Sequence, residues 1–241
     1  MKQIKMNLVS RDNYMVQEAY KILRTNLQFS GADIKTIVIT SCTENEGKST
    51  IALHLAASFA ELGKKVLLID TDMRKSVMAV RDSNAEEVLG LSEYLTRQAS
   101  LEDCIVQTQL KPLHILFAGK FPPNPVELLN TKYFKELIAQ MREQYDYIII
   151  DTPPLGVVID AAVVAALCDG AIIVISDRKI QQTVAKDVVE KIKLSGCRVL
   201  GAITNNTRYR KFSRYYGGYY SKYYYSHYYS KDTKMKKKTG V

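Results

Sequence analysis

Residues 36–50 read "TIVITSCTENEGKST" and place a short apolar run, a polar turn and the start of a helical pattern in direct succession. The run "TIVIT" (36–40) is rich in β-branched residues, as expected of a strand that is buried on both faces. The residues from Ser49 to Leu62 follow a helical pattern. Backbone N–H groups of such a turn, together with the positive end of the helix, surround phosphate oxygens. The segment therefore predicts a nucleotide site.

Individual positions in this loop suit separate tasks in nucleotide binding. Gly47 has no Cβ and lets the backbone approach the phosphates, Lys48 neutralises the β- and γ-phosphates, and the Ser49 hydroxyl binds Mg²⁺. Cys42 replaces the first glycine of the usual pattern, so the alternative is a chance Gly-Lys-Ser-Thr at a helix start. The order of strand, loop and helix favours the nucleotide site. The predicted ATP contacts in the loop are Thr43, Glu44, Asn45, Glu46, Gly47, Lys48, Ser49 and Thr50.

Similar apolar runs recur along the chain, with helical patterns between most of them. Runs this rich in Val and Ile indicate strands covered on both faces. Their alternation with helices predicts an α/β fold, a doubly wound, mostly parallel sheet in a three-layer α/β/α sandwich. Helical patterns also cover 16–30, before the first strand, and 126–144. The further predicted strands are 65–70, 113–119, 147–151, 171–176 and 199–204.

Acidic residues stand at the ends of two of these strands. "VLLIDTDMRKS" carries Asp70 and Asp72, and "YIIIDTPP" carries Asp151. Ligands of such folds bind beyond the carboxyl ends of the strands, so with Lys48 these three carboxylates are the catalytic candidates. A lone aspartate at a strand end is more often a helix cap, but three beside a phosphate loop favour function. Asp70 and Asp72 divide metal support and acceptor orientation between them. The predicted metal set is Ser49, Asp72 and Asp151, the last through water.

Residues 207–241 differ in composition from the rest of the chain. Residues 1–206 hold 24 Lys/Arg and 24 Asp/Glu, so the ten Lys/Arg and single Asp232 of the tail account for the whole net charge of +9. Ten of the 16 tyrosines lie in this tail without aliphatic core residues, which predicts disorder. Packed structure and an aromatic, cationic binding tail are the alternatives to an array of phosphate acceptors. The candidate acceptors are Tyr215, Tyr216, Tyr219, Tyr220, Tyr223, Tyr224, Tyr225, Tyr228 and Tyr229.

The distribution of charge and cysteine limits the classes of function. A neutral body with a basic tail argues against a broad DNA-binding face, so no nucleic-acid partner is expected. The four cysteines stand singly, without metal-ligand spacing, which fits a reducing cytoplasm. No signal peptide and no apolar run of about 18 residues is visible, so work at a membrane would need another protein to hold the chain there.

Taken together, these segments resemble the bacterial tyrosine kinases of capsular and exopolysaccharide biosynthesis. That family belongs to the deviant-Walker ATPases, which also include the cell-division and plasmid-partition ATPases. The likeness covers nearly the whole chain and is strong because moderately specific motifs occur together in one order. The matching segments are "EAYKILRTNLQFS", "EGKST", "IDTDMRK", "GLSEYL", "PPNPVELL", "DTPPLGVVIDA", "DGAIIVI" and the tyrosine-rich tail.

The resemblance implies an autophosphorylating protein-tyrosine kinase that uses ATP and Mg²⁺ and regulates capsular or exopolysaccharide synthesis and export. It implies three regions. Residues 1–35 would form a helical segment for oligomer contact, 36–206 the ATP-binding kinase domain, and 207–241 the acceptor tail. It also implies that Asn205, after the last strand, contacts the adenine.

The resemblance further implies partners. Subunits would form a homo-oligomeric ring in which Glu18, Lys21 and Arg24 contact a neighbour, and each tail would enter the next active site. A transmembrane activator, the polysaccharide co-polymerase adaptor, would hold this cytoplasmic protein at the inner face of the plasma membrane. Each phosphotyrosine adds about −1.5 to −2 charges to the tail, so phosphorylation would drive it out of the acidic site. Cycling would then need a cognate tyrosine phosphatase.

Four positions depart from related sequences. Glu44 and Asn45 stand where the family usually has Pro-Gly, and Asn tolerates the positive φ that the glycine would adopt. Ser76 stands where the family commonly has proline. Thr43 occupies the position at which the partition ATPases carry a second lysine, which favours the kinase branch. The alternative is a nucleotide-switched assembly ATPase that uses water as its acceptor.

Overall fold

The computed structural model describes residues 2–8, 14–79, 88–176 and 180–205. An eight-stranded sheet lies at the centre, in the order β1-β4-β5-β3-β6-β2-β7-β8. Its strands are β1 (Gln3–Ile4), β2 (Thr36–Ser41), β3 (Val66–Asp70), β4 (Ile105–Thr108), β5 (Leu113–Leu116), β6 (Tyr147–Asp151), β7 (Gly170–Ser176) and β8 (Arg198–Asn205). The helices of the described residues are α1 (Tyr14–Phe29), α2 (Lys48–Ala60), α3 (Leu91–Leu95), α4 (Leu101–Cys104), α5 (Pro125–Leu129), α6 (Lys132–Gln144), α7 (Asp160–Ala165) and α8 (Gln182–Leu194).

Neighbouring strands run parallel except β4 and β5, which pair antiparallel. Successive residues of the central strand β2 enter two different cores. Val38 joins the core that includes residues of α6, α7 and α8, whereas Ile37 and Ile39 join the core that includes residues of α1 and α2. Helices therefore cover both faces of the sheet, and the predicted doubly wound three-layer fold is confirmed. Because β2 lies between β6 and β7, the loop that follows it is central.

The apolar runs predict six of the strands and miss two. β1 and β4 are short strands at one edge of the sheet, where a full pattern of apolar residues is not required. The helical pattern predicted over 126–144 is divided into two helices, because α5 ends at Leu129 and α6 begins at Lys132. The side chain of Thr131 accepts a hydrogen bond from the backbone N–H of Phe134 and caps the second helix.

Residues ahead of β2 share the core of the sheet. Ile4 and Leu27 are buried in the same cluster as Ile37, and β1 pairs with β4. No helix in the described part of the chain is long and apolar enough to span a membrane. The role of 1–35 in oligomer contact stays a prediction, and the predicted disorder of 207–241 lies outside the described residues.

Asp169 fixes the start of the central strand. One of its carboxylate oxygens accepts hydrogen bonds from the backbone N–H groups of Lys35 and Thr36, at 2.9 and 2.7 Å, and from the Arg142 guanidinium at 2.7 Å. Burial alone would raise the pKa of Asp169, but these donors outweigh it and hold the pKa below its ordinary value. The aspartate of "DGAIIVI" is thus a structural clamp between β7 and β2.

Candidate functional site

The loop between β2 and α2 adopts a backbone that few residue types tolerate. Asn45 has φ of 60° and Gly47 has φ of 89°, both in the left-handed region. The expectation that Asn45 would supply a positive φ is confirmed. A Cβ on Gly47 would lie 2.1 Å from the side-chain nitrogen of Asn205, so glycine is required both by the backbone and by this neighbour.

The Glu46 side chain turns beneath the loop and does not face the cleft. It is 1% exposed, and its Oε2 accepts the backbone N–H groups of Cys42 and Thr43, both at 2.9 Å. Its Oε1 accepts the N–H of Ser176, at the end of β7, at 3.2 Å. The carboxylate therefore ties both ends of the loop to the sheet. Any contact of Glu46 with a nucleotide would come from its backbone.

Asn205 braces the same loop from β8. Its side-chain amide donates to the carbonyl oxygen of Glu46 at 2.9 Å. The end of β8 thus lies directly against the phosphate loop, on the far side of β7 from β2. The predicted contact between Asn205 and adenine stays a prediction, and this hydrogen bond gives the residue a second, structural task.

Lys48 opens α2 with its side chain directed into a cleft. The residue is 7% exposed and lines the cleft with Gly47 and Ser49. Within the described parts of the chain, the Lys48 ammonium has no hydrogen-bond or ion-pair partner. A cation without a counterion is unfavourable at the positive end of a helix. The arrangement suits a strongly anionic ligand.

Asp70 and Asp151 are direct register partners at the ends of the paired strands β3 and β6, and both are buried. Burial raises the pKa of Asp70 well above its ordinary value, and the nearby charge of Asp151 adds to the effect. The Ser76 hydroxyl and the backbone N–H of Asp72 donate to the Asp70 carboxylate. Two adjacent buried carboxylates would gain from a cation nearby.

The loop after β3 carries two ion pairs of different character. Arg74 donates from two nitrogens to the two oxygens of the buried Asp160, at 3.0 and 3.2 Å. Lys75 pairs at 3.0 Å with Glu44, and both side chains are exposed. Asp72 lines the cleft, and one of its oxygens accepts the backbone N–H groups of Arg74 and Lys75.

Threonines cross-link the strands that carry these acids. The Thr71 hydroxyl donates to the carbonyl oxygen of Asp151 at 2.7 Å, and the Thr152 hydroxyl donates to that of Ile39 at 2.8 Å. The Thr40 hydroxyl donates to the carbonyl oxygen of Pro153 at 3.0 Å. The ends of β2, β3 and β6 are therefore held together by buried side-chain bonds. In the sequence, these cross-links are indicated only by Thr71 and Thr152, the threonines that follow Asp70 and Asp151.

The cleft at the phosphate loop is open to solvent. It contains Lys48, Ser49 and Asp72, and it has a charged side and an apolar side. The lining residues are Glu44, Asn45, Gly47, Lys48, Ser49, Asp72, Arg74, Lys75, Val77, Pro153, Pro154, Val157 and Val158.

The oxygen-rich donor set fits Mg²⁺ only together with phosphates. Among the described residues, no group of three His, Cys, Asp or Glu side chains is placed to hold a metal ion. Mg²⁺ commonly binds through one or two carboxylates, water and substrate phosphates. Ser49 and Asp72 in the cleft and the buried Asp151 fit that pattern, in which the nucleotide completes the site.

The residues predicted for oligomer contact lie on α1 and do not line this cleft. Lys21 pairs with Glu18 on α1 at 2.7 Å. Arg24 donates to the backbone oxygen and the hydroxyl of Ser58, near the end of α2, at 2.6 and 3.0 Å. Contact of these three residues with a neighbouring subunit stays a prediction. The candidate acceptor tyrosines lie outside the described residues.

Sequence comparisons connect this site with known proteins. A family model described as "AAA domain" matches residues 34–198. The chain is 43% identical to the tyrosine-protein kinase CpsD of Streptococcus agalactiae over 189 residues, which make up 78% of this chain and 82% of that protein. It is 40% identical to the tyrosine-protein kinase YwqD of Bacillus subtilis over 200 residues, or 82% and 84% of the two chains.

Structural comparison gives the same relationship. The kinase domain of the Escherichia coli tyrosine kinase ETK matches with a TM-score of 0.75 and 30% identity, over 84% of this chain and 80% of that domain. The septum site-determining protein MinD of Pyrococcus horikoshii, complexed with Mg-ADP, matches with a TM-score of 0.60 and 28% identity, over 70% and 69% of the chains. The phosphate-loop ATPase fold is thus shared with a nucleotide-binding protein.

Proposed function

The chain belongs to the bacterial tyrosine-protein kinase family, and on that premise we propose that it phosphorylates tyrosines in the C-terminal tail, 207–241, of a neighbouring copy. It is an ATP-dependent protein-tyrosine kinase of the phosphate-loop type. The choice of acceptor is supported by the ten tyrosines that crowd a basic segment lacking the aliphatic residues of a core.

One observation carries the donor half of the proposal: the Lys48 side chain lines the cleft without an anionic partner among the described residues. The triphosphate of ATP would supply that partner. The loop N–H groups and the amino end of α2 add to the attraction. The Glu46 carboxylate accepts hydrogen bonds from backbone N–H groups beneath the loop. Its negative charge therefore does not face the phosphates.

Ser49, Asp72 and Asp151 are the proposed residues for Mg²⁺, which when bound neutralises charge on the phosphates. The buried position of Asp151 suits contact through water. Asp70 is the proposed residue that orients the acceptor, with Asp72 as the second choice.

Transfer of the γ-phosphoryl group from ATP to tyrosine needs no further reactant. The phenolic oxygen of the acceptor attacks the γ-phosphorus roughly in line, and a new oxygen–phosphorus bond forms. The bond from the γ-phosphorus to the bridging oxygen breaks, and its electron pair leaves with ADP. The phenolic proton passes to the Asp70 carboxylate, which helps because tyrosine has an unperturbed pKa near 10.

The cellular role follows from the charge of the tail and from the family. Phosphorylation of about five or six tyrosines would cancel the excess of nine positive charges. We propose that the tail then leaves the acidic site, that a ring of subunits loosens, and that a phosphatase resets it. A transmembrane activator would hold the protein at the inner face of the plasma membrane, and the output would be control of capsular or exopolysaccharide synthesis.

The second candidate is a nucleotide-switched assembly ATPase, supported by the likeness to MinD. Its acceptor would be water, and a tyrosine-rich tail would not be needed. Thr43, in place of a second lysine, favours the kinase. Both candidates predict ATP binding at Lys48, so the acceptor is what separates them.

Intact mass after incubation with Mg·ATP tests the proposal. We expect several additions of phosphate to the full chain, mapped to 207–241, and none in Lys48→Met. Lys64→Met is the matched control, because Lys64 is an exposed lysine just after α2, and it should behave as wild type. A chain that hydrolyses ATP but gains no phosphate on tyrosine would favour the assembly ATPase.

A further inference from the structure

One wall of the ATP cleft is apolar, and two of its residues are exposed to solvent. Val157 is 58% exposed and Val77 is 40% exposed. Single exposed apolar residues are ordinary on a protein surface, but these two line the same cleft as Ser49 and Asp72. The apolar lining residues are Val77, Pro153, Pro154, Val157 and Val158.

All of these residues come from one half of the sheet, counted along the order of its strands. They follow β3 and β6, which lie on the opposite side of β2 from β7 and β8. Asn205, the proposed adenine contact, ends β8 against the phosphate loop. A triphosphate that extends along the loop from β8 therefore presents its terminal phosphate toward the apolar wall, where an acceptor must approach.

Two contacts hold the halves of the wall in place. The Arg74–Asp160 pair ties the loop that carries Val77 to the helix that follows Val157. A Cβ on Gly156 would lie 2.1 Å from the carbonyl oxygen of Cys42, so the second half packs directly against the phosphate loop. A surface that is already in position binds without an ordering cost.

We propose that this wall, formed by Val77, Pro153, Pro154, Val157 and Val158, binds the aromatic ring of the acceptor tyrosine and selects tyrosine over serine. The inference rests on the proposed kinase function. An aromatic ring gains free energy by covering apolar surface, and it carries its hydroxyl farther from the peptide backbone than serine does. A serine hydroxyl reaches the terminal phosphate only if the peptide backbone itself enters the cleft.

The tail of another copy fits this surface by its composition. Arg74 and Lys75 are already paired with Asp160 and Glu44, so they do not repel a basic peptide. The tail places Lys, Ser and Gly between its tyrosines, which leaves the rings free to bind apolar surface while the cations stay in water.

The test replaces Val77 and Val157 by serine in the full chain and measures phosphorylation of a synthetic peptide with the sequence of residues 211–231. We expect KM for the peptide to rise about tenfold, as for the loss of apolar contacts in a substrate pocket. We expect kcat and the Kd for ATP to stay within about twofold. Both side chains are exposed, so the melting temperature should not move. Leu194→Ser is the matched control, since Leu194 is 87% exposed at the end of α8.

The possible results distinguish failure of the proposed acceptor wall from failure of the proposed kinase function. An unchanged KM in a chain that phosphorylates the peptide would overturn the acceptor wall and leave the kinase intact. A weaker Kd for ATP, in parallel with KM, would also overturn it, because the wall would then serve the nucleotide. If wild type phosphorylates neither the peptide nor its own tail, the proposed function fails and the wall fails with it.

Discussion

Replacement of Glu46 by glutamine tests whether one buried carboxylate holds the phosphate loop. The two variants that matter, Glu46→Gln and Glu44→Gln, make the same chemical change two residues apart. Glu46 accepts three backbone N–H groups from two elements, whereas Glu44 makes an exposed pair with Lys75. If Glu46 holds the loop, Glu46→Gln should lower the free energy of unfolding strongly, and Glu44→Gln should hardly change it.

The magnitude follows from the three hydrogen bonds. If the amide oxygen of the new side chain faces Cys42 and Thr43, those two bonds become neutral, which costs about 1 kcal/mol each. The amide nitrogen then faces the N–H of Ser176 and leaves it unsatisfied, at a cost of about 1–3 kcal/mol. The free energy of unfolding should fall by about 3–5 kcal/mol, which lowers the melting temperature by about 6–20 °C for a domain of this size. Glu44→Gln should stay within about 0.5 kcal/mol.

Urea denaturation of both variants without nucleotide measures this difference, and ATP titration shows its consequence. Glu46→Gln should also raise the Kd for ATP, because the loop is no longer fixed to β7. Equal stability of the two variants would refute the supporting role of Glu46. A loss of ATP affinity without a loss of stability would instead point to direct contact between this side chain and the nucleotide.

Three further perturbations test other parts of the site. Lys48→Met should abolish ATP binding yet raise the free energy of unfolding of the nucleotide-free protein by about 0.3–1 kcal/mol, because it removes an unpaired positive charge from the amino end of α2; a loss of stability in urea would contradict this. Arg74→Ala should cost about 2–4 kcal/mol because it leaves the buried Asp160 without its partner, whereas Lys75→Ala should cost less than about 0.5 kcal/mol; equal costs by denaturation would contradict the contrast. Asp169 has a lowered pKa in the folded state, so its stabilisation is full above its ordinary pKa and is lost as the pH falls through the folded value. The stability gap between wild type and Asp169→Asn should therefore be constant from about pH 5 to 8 and shrink below about pH 4, and a gap that persists at low pH would count against the clamp.

The sequence predicts those parts of the fold that depend on local pattern. Runs of Val and Ile locate six of the eight strands of the sheet, and in the interior strands they mark a segment that is covered on both faces and has no polar face. The Gly-Lys-Ser-Thr at the start of α2 locates the phosphate loop, because few other contexts place those residues between a strand and a helix. Asp70 and Asp151 could be placed near each other because parallel strands end at the same edge.

Features that depend on tertiary contact could not be predicted. Glu46 looks like a loop residue exposed to the nucleotide, and only the approach of β7 makes it an internal support. The link from Arg24 to Ser58 depends on how α1 lies along α2, which no helical pattern specifies. The break between α5 and α6 depends on Thr131 as a cap, a choice that competes with continuation of the helix.

Phosphate transfer between two differently disabled chains tests the central claim most directly. One chain carries Lys48→Met and an intact tail with ¹⁵N label, and the other is wild type but ends at residue 206. After the two are mixed with Mg·ATP, mass analysis should find phosphate on tyrosines of the labelled chain, although neither chain is modified alone. An unmodified labelled chain, under conditions in which the full-length wild type is phosphorylated, would contradict transfer between copies.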